Sequence, residues 1–158
     1  MQKSYFKSPI GLLEIICKNN KLISLKLTEK QEKSTIETDF IYSIKSQLDE
    51  YFLGKRQIFN IKIDPEGTEF QKSIWMELLK IPYGTTKSYS EIALIAGYRN
   101  AQRAVGSACN KNPIMIIIPC HRVISKNGKL SGYAYGNNIK EKLLNIENSI
   151  NNFAPNRI

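Results

Sequence analysis

Apolar and polar positions change period several times along this chain, and each change predicts an element. Leu12–Lys18 and Leu22–Leu27 alternate at period two across the turn-like Lys18-Asn19-Asn20-Lys21, which predicts a β-hairpin with Cys17 packed in its first strand. After a polar link from Thr28 to Thr35, Ile41, Ile44, Leu48, Tyr51 and Phe52 recur at helical spacing, and Gly54 stands where a helix C-cap belongs. Phe59, Ile61 and Ile63 alternate again and predict a further strand. Asp64-Pro65-Glu66-Gly67 has the composition of a linker. Residues 1–64 are therefore expected to form a small α+β domain, and they carry no chemical motif of their own.

From Thr68 the period becomes helical. Thr68-Glu69-Phe70-Gln71 has capping-box spacing, with Phe70, Ile74, Trp75, Leu78 and Leu79 on one face, and Ile81-Pro82-Tyr83-Gly84 ends that helix. Ser88-Tyr89-Ser90-Glu91 is a second capping box, opening a helix through Ile92, Ile95 and Ala96 that stops at Gly97. A third helix is expected from about Asn100 to Asn110. Two short helices around a glycine-containing turn predict a helix-turn-helix, whose second helix is the one that meets DNA. Ala101, Ala104, Val105 and Ala108 form the expected buried stripe of that helix, while Gln102, Arg103, Gly106, Ser107 and Asn110 face outward. A face of small side chains with one arginine and no acid lets a helix backbone approach a nucleic-acid backbone closely.

The remaining pattern frames one tripeptide. The β-branched run Ile114 to Ile118 predicts a short buried strand, stopped by Pro119, which lacks a ladder donor. Cys120, His121 and Arg122 follow at the turn. Ser125-Lys126-Asn127-Gly128-Lys129-Leu130 reads as a polar hairpin or wing, and Ser131 to Gly136 as a loop of small residues. Ile139, Leu143 and Ile146 mark a last helix ending near Glu147, and the Asn-rich end from Asn148 is expected to fray. The second domain is thus placed at 65–150 and a frayed tail at 151–158.

Charge sharpens the expectation of a nucleic-acid partner. The chain has 158 residues and a formal net charge of +9. Between residues 87 and 129 the basic side chains are Lys87, Arg99, Arg103, Lys111, Arg122, Lys126 and Lys129, against Glu91 alone. A polyanion is the natural partner of such a segment. No apolar run is long enough to span a bilayer, and the Ile10 to Cys17 run is broken by Glu14 and followed by no cleavage signature. Three widely spaced cysteines fit free thiols in a reducing cytoplasm, and one histidine with no C-x-x-C pair cannot supply the usual zinc ligand set. Cys120 beside the only histidine has two readings. It is either a core thiol next to a satisfied imidazole, or a nucleophile next to its base.

The surroundings favour the second reading. Ile118-Pro119-Cys120-His121-Arg122-Val123 resembles the active-site signature of the O6-alkylguanine-DNA alkyltransferases, also called methylated-DNA–protein-cysteine methyltransferases. The resemblance extends through Gly67-Thr68-x-Phe70-Gln71, Trp75, Ile81-Pro82-Tyr83-Gly84, Ser88-Tyr89, Arg103-Ala104-Val105-Gly106, Asn112-Pro113 and Gly132-Tyr133. Tyr5-x-x-Ser8-Pro9-Ile10-Gly11 and Tyr51-Phe52-x-Gly54 are similar to the family's first domain, so the whole chain is covered, more weakly before residue 64. The fold this implies is α+β, a ribonuclease H-like α/β domain followed by a winged helix-turn-helix domain.

What the resemblance implies about chemistry is specific. Cys120 would attack the alkyl carbon on O6 of guanine, or on O4 of an alkylated thymine, giving a thioether and a restored base. A thioether is not hydrolysed under mild conditions, so each molecule would act once. His121 would serve as base through a water and Glu147 would orient it, which is triad logic in another setting. Asn112 would brace the turn, and Tyr89 would donate to guanine N3. The carbonyls of Cys120 and Val123 would accept from the 2-amino group, and the Ala134 amide would face O6. Met115, Cys109, Tyr133 and Tyr135 would border the alkyl pocket. Arg103, with Gln102, Ala104, Gly106 and Ser107, would bind double-stranded DNA and fill the gap left by the flipped base. No cofactor, metal or membrane is called for, and a cytoplasmic monomer is expected. Met115 stands where the family commonly has proline and Tyr135 where it usually has glycine, which bears on the alkyl groups accepted. The rival readings are a Cys-His thiol hydrolase and a winged-helix DNA-binding protein without catalysis.

Overall fold

Period-two burial builds the first unit. In the computed structural model, which describes residues 1–130 and 132–151 (the last three by backbone alone), β1 (Gln2–Ser8), β2 (Gly11–Lys18) and β3 (Lys21–Leu27) form an antiparallel sheet in that order. Leu13, Ile15 and Cys17 of β2 are fully buried, as strict alternation requires. The hairpin turns through Asn19 (φ 52°) and Asn20 (φ 56°), a pair of left-handed residues that asparagine tolerates and that matches the strand twist. Helix α1 (Asp39–Phe52) starts at Thr38, whose hydroxyl accepts from the Ile41 amide, and buries Ile41, Ile44, Leu48 and Tyr51. The chain divides into two compact units, Met1–Glu66 and Gly67 onward.

This unit has one strand that the sequence pattern did not predict and lacks one that it did. The polar sequence of β1 hides a strand because only Ser4 and Tyr5 of it are buried. Conversely, the alternation of Phe59, Ile61 and Ile63 does not make a strand, and only a single parallel bridge, Leu22 to Ile63, forms there. The reason is competition for the backbone. Gln47 of α1 donates to the Asn60 carbonyl at 3.1 Å and accepts from the Asn60 amide at 2.8 Å, so these groups are taken by a side chain rather than a ladder.

The second unit is helical. It contains α2 (Glu69–Leu78), β4 (Lys87–Ser88), α3 (Tyr89–Ile95), α4 (Gln102–Asn110), a 3-10 turn (Cys120–Arg122), β5 (Val123–Ile124) and α5 (Asn137–Asn151). Both predicted capping boxes are present, Thr68 with Gln71 and Ser88 with Glu91. The Trp75 indole donates to the Ala108 carbonyl at 2.9 Å and fixes α2 on α4. The indole lies so close over Gly67 that a Cβ there would stand 2.5 Å from the ring. Helices α3 and α4 make the helix-turn-helix, turning at Gly97 (φ 86°). Among the described residues no helix is long and apolar enough to cross a membrane.

Three sequence expectations change here, while the polar hairpin expected at 125–130 forms. Ile114 to Ile118 is buried but is a turn, not a strand, and Ile116 takes φ 71°. Ala104 of α4 is exposed, and Cys109 joins Val105 and Ala108 on the buried side. The 125–130 segment closes as a tight turn, with the Gly128 amide on the Ser125 carbonyl at 2.8 Å, and β5 pairs in parallel with β4. Helix α5 runs on to Asn151, which places Glu147 within a helix; the frayed tail expected after that falls outside the described residues.

Candidate active site

The segment before the cysteine reverses direction twice in a few residues. The Ile117 amide reaches the Met115 carbonyl at 2.8 Å around left-handed Ile116, a γ-turn of the rare positive-φ kind. Pro119 (φ −83°, ψ 62°) then makes the inverse γ-turn, with the Cys120 amide on the Ile118 carbonyl at 2.8 Å. A β-branched residue at positive φ is strained, and Ile116 is held there by burial of its side chain, which is 1% exposed. Asn112 staples this loop from inside. It accepts from the Ile114 amide at 2.9 Å and donates to the Ile118 carbonyl at 2.8 Å and to Cys120 Sγ at 3.1 Å.

Behind the cysteine lies a buried charge network. His121 Nε2 meets Glu147 Oε2 at 2.6 Å, and both side chains are fully buried. Arg122 donates from Nε to Glu147 Oε1 at 2.8 Å, from Nη2 to Oε2 at 3.1 Å and from Nη1 to the Ile81 carbonyl at 2.7 Å. Burial works to raise the Glu147 carboxyl, but the hydrogen bonds and charges of His121 and Arg122 outweigh it and hold it down at about 2. Burial pushes the His121 imidazole below its ordinary value against the pull of Glu147, and the charges of Arg122 and Lys140 push the same way as burial. A neutral imidazole facing a carboxylate must carry its proton on Nε2. That leaves Nδ1 as the acceptor, and among the described residues Nδ1 has no hydrogen-bond partner.

Cys120 itself is 3% exposed. Burial pushes its thiol up, to about 11, while the Asn112 amide, the charge of Lys140 and the amides of Cys120 and His121 pull it down. Ionisation at neutral pH therefore depends on those donors and on a base to take the proton.

Lys140, which the sequence pattern hid, is fully buried on α5. Its Nζ donates to the Val123 carbonyl at 2.5 Å and lies 5.7 Å from the Tyr89 ring centre and 5.9 Å from that of Tyr133. Burial lowers its pKa, and the thiolate charges of Cys120 and Cys109 oppose that. Tyr89 is the first residue of α3, and the parallel pairing of β4 with β5 places the start of that helix beside the end of the Cys120–Arg122 turn. Burial pushes its hydroxyl up to about 12, so it remains a donor at physiological pH. Gly132 (φ 71°) leaves room for its hydroxyl, since a Cβ there would stand 3.2 Å from Tyr89 Oη.

An open cleft of about 500 Å³ runs beside this ring, lined by Tyr89, Ser90, Gln102, Arg103, Gly106, Asn110, Ser125, Lys126 and Gly132. Arg103, Gln102, Ala104 and Ser107 are exposed and Gly106 half-buried. Cys120 does not line the cleft, but Tyr89 does, and the charges of Cys109 and Cys120 act on its hydroxyl.

Two comparisons now decide the family. The description "6-O-methylguanine DNA methyltransferase, DNA binding domain" matches residues 69–149, and the ribonuclease-like domain of the same family matches residues 1–65. The chain belongs to this methyltransferase family. It is 46% identical over 153 residues to the methylated-DNA–protein-cysteine methyltransferase of Methanosarcina barkeri, covering 93% of this chain and 97% of that one. The constitutive methyltransferase of Bacillus subtilis is 40% identical over 151 residues, covering 89% of this chain and 92% of its own. The crystal structure of Mycobacterium tuberculosis OGT in complex with DNA matches with a TM-score of 0.84 at 43% identity, over 92% of each chain.

Seen within this methyltransferase family, the other expected residues fall as follows. Met115 and Cys109 are buried, Val123 is buried and Ala134 exposed. Tyr133 is 8% exposed and Tyr135 is half-buried, its ring edge-on to Tyr133 at 5.7 Å between centres. The Val123 carbonyl already accepts from Lys140 and the Cys120 carbonyl from the Val123 amide, which leaves each a second lone pair. Arg122, counted among the basic side chains facing a polyanion, is buried in an ion pair instead. Sequence reasoning found Cys120, His121, Glu147 and Asn112 but missed Lys140, whose only signal was its i, i+3 and i, i+7 spacing to Leu143 and Glu147 on α5.

Proposed function

We propose that this protein reverses O6-alkylation of guanine in double-stranded DNA by moving the alkyl group irreversibly onto its own Cys120. The observation that carries the reading is the Asn112–Cys120 hydrogen bond at 3.1 Å, standing beside a His121–Glu147 pair whose neutral tautomer leaves Nδ1 free to accept a proton. The thiol proton passes through a bridging water to His121 Nδ1. The sulfur lone pair forms the S–C bond as the C–O6 bond breaks, and the electron pair of that bond stays on the base. Tyr89 donates a hydrogen bond toward the ring as negative charge develops there, and the base takes up one proton, balancing the one passed from the thiol to His121, and leaves as guanine. Sulfur ends as a thioether with no water able to release it, so one molecule repairs one base.

Helix α4 presents the flat, acid-free surface that this reading assigns to DNA, and Arg103 at the cleft fills the gap left by the flipped base. Three free, buried thiols fit work in a reducing compartment. The test is the mass of the intact protein after incubation with duplex DNA bearing O6-methylguanine. The expected result is one added methyl group per molecule, located on Cys120, and none in Cys120→Ser. Turnover beyond one equivalent, or methylation of the Ser variant at the wild-type rate, overturns the reading.

A further inference from the structure

Arg122 follows the histidine directly, yet nothing in the transfer described above uses it. Its guanidinium takes Glu147 in a two-point fork, 2.8 Å to Oε1 and 3.1 Å to Oε2, and is anchored by the Ile81 carbonyl at 2.7 Å and the Tyr83 ring at 5.7 Å. His121 Nε2 shares Oε2 at 2.6 Å. One buried carboxylate thus serves a permanent cation and an imidazole at once.

We propose that Arg122 is a positioning residue that keeps His121 neutral and in the Nε2–H tautomer, so that Nδ1 stays able to accept the proton of Cys120. The proposal rests on the transfer to Cys120 argued above. Its physical basis is a balance of two effects of one fork. Bidentate geometry turns the carboxylate so that Oε2 meets Nε2, which fixes the tautomer. The positive charge on the same carboxylate offsets the field that Glu147 would otherwise exert on the ring. A buried imidazole facing an unneutralised carboxylate would charge, both nitrogens would then carry hydrogen, and the base would be lost. Lysine cannot replace the fork, because its ammonium is a point charge.

Of the other titratable groups facing this pair, Lys140 of α5 also pushes the His121 ring toward neutrality by its charge, less than Arg122 does, while its Nζ donates to the Val123 carbonyl. Tyr83, Tyr133 and the Cys120 thiol are neutral acids held above their ordinary values by burial. The Arg122 fork adds to its charge the two-point geometry that turns the carboxylate.

His121 is the chain's only histidine, so nitrogen-15 and carbon-13 NMR of labelled histidine reads its protonation and tautomer without any assay of activity. In the wild type the ring should stay neutral, with hydrogen on Nε2, to a lower pH than a free imidazole does. In Arg122→Met its protonation midpoint should rise by about one pH unit or more, and the acid limb of the methyl-transfer rate should move up by the same amount, about tenfold slower just below it. Arg122→Lys should give a smaller rise with a mixture of tautomers, and it decides the matter if the Met variant does not fold. Unchanged titration and tautomer in the variants, with transfer slowed equally at every pH, would show a purely structural clamp and end the proposal. Absence of transfer in the wild type would instead count against the repair reading, leaving the NMR arm to judge Arg122.

Discussion

Among the described residues the first unit buries only Ser4 and Gln47 as polar side chains, and its ion pairs, such as Arg56 with Glu50, keep substantial exposure. The second unit buries His121, Arg122, Lys140 and Glu147 together, with Asn112 and Ser88. The contrast separates two reasons for placing a residue inside. In the first unit burial follows apolar periodicity, and charge stays where water solvates it. In the second, several kcal/mol of desolvation per ion, by rough estimate, is accepted and offset by paired hydrogen bonds around one thiol. Buried charge that no folding rule asks for marks the chemistry.

The sharpest way to break the contrast is Glu147→Ala. It leaves the Arg122 guanidinium buried without its carboxylate and should cost about 3–5 kcal/mol, a typical loss for one partner of a buried pair. Urea unfolding followed through Trp75, the chain's only tryptophan and 1% exposed in the second unit, measures it. A loss below about 1 kcal/mol would mean that the network is solvated and the contrast empty.

Acid should next separate the two units. His121 has its pKa lowered in the fold, so the unfolded chain takes up its proton first. Its contribution to stability is whole above the unfolded value of about 6.5 and is lost as pH falls toward the folded value, by up to about 1.4 kcal/mol per pH unit. Glu147, held at about 2, adds a second loss only below about pH 4.3. In the first unit the lowered acid is Glu37, bonded to Lys45 and Ser4, and its loss also begins only below about pH 4.3. The Trp75 unfolding midpoint should therefore begin to fall as pH drops below about 6.5, while amide exchange in β2 and α1, corrected for pH, should hold steady until the carboxylates titrate. A parallel fall in both would mean that the units unfold as one.

The smallest effect expected is at the surface. Arg56→Ala removes a partly exposed pair with Glu50 and should cost less than about 1 kcal/mol. A loss of several kcal/mol in thermal unfolding would show that the first unit also relies on charge.

This contrast also explains what the sequence could and could not disclose. Caps at Thr68 and Ser88 and the hairpin at Asn19-Asn20 are local, and local chemistry is written in neighbouring residues. Cys120-His121 was visible as a pair of residue types, and Asn112 through the motif it shares with relatives. The shape that joins them was not visible. Five apolar residues from Ile114 to Ile118 look alike whether they lie in a strand or in a buried turn, since burial on every side erases the period. Lys140 and Glu147 look like ordinary polar positions of an amphipathic helix, because the partners that make them interior, Val123, His121 and Arg122, are 17 to 26 residues away.

The left-handed bend at Ile116 has a bearing on fault tolerance. Glycine or asparagine would adopt that bend readily, but the chain uses an isoleucine whose conformation is enforced by the side chains packed around it. The loop that presents the nucleophile therefore takes this part of its shape from the hydrophobic core, beside the staple of Asn112 and the bend at Pro119. A substitution in that core, touching neither sulfur nor base, would reach the reacting atom as surely as one beside it. Here damage to the interior is also damage to the chemistry.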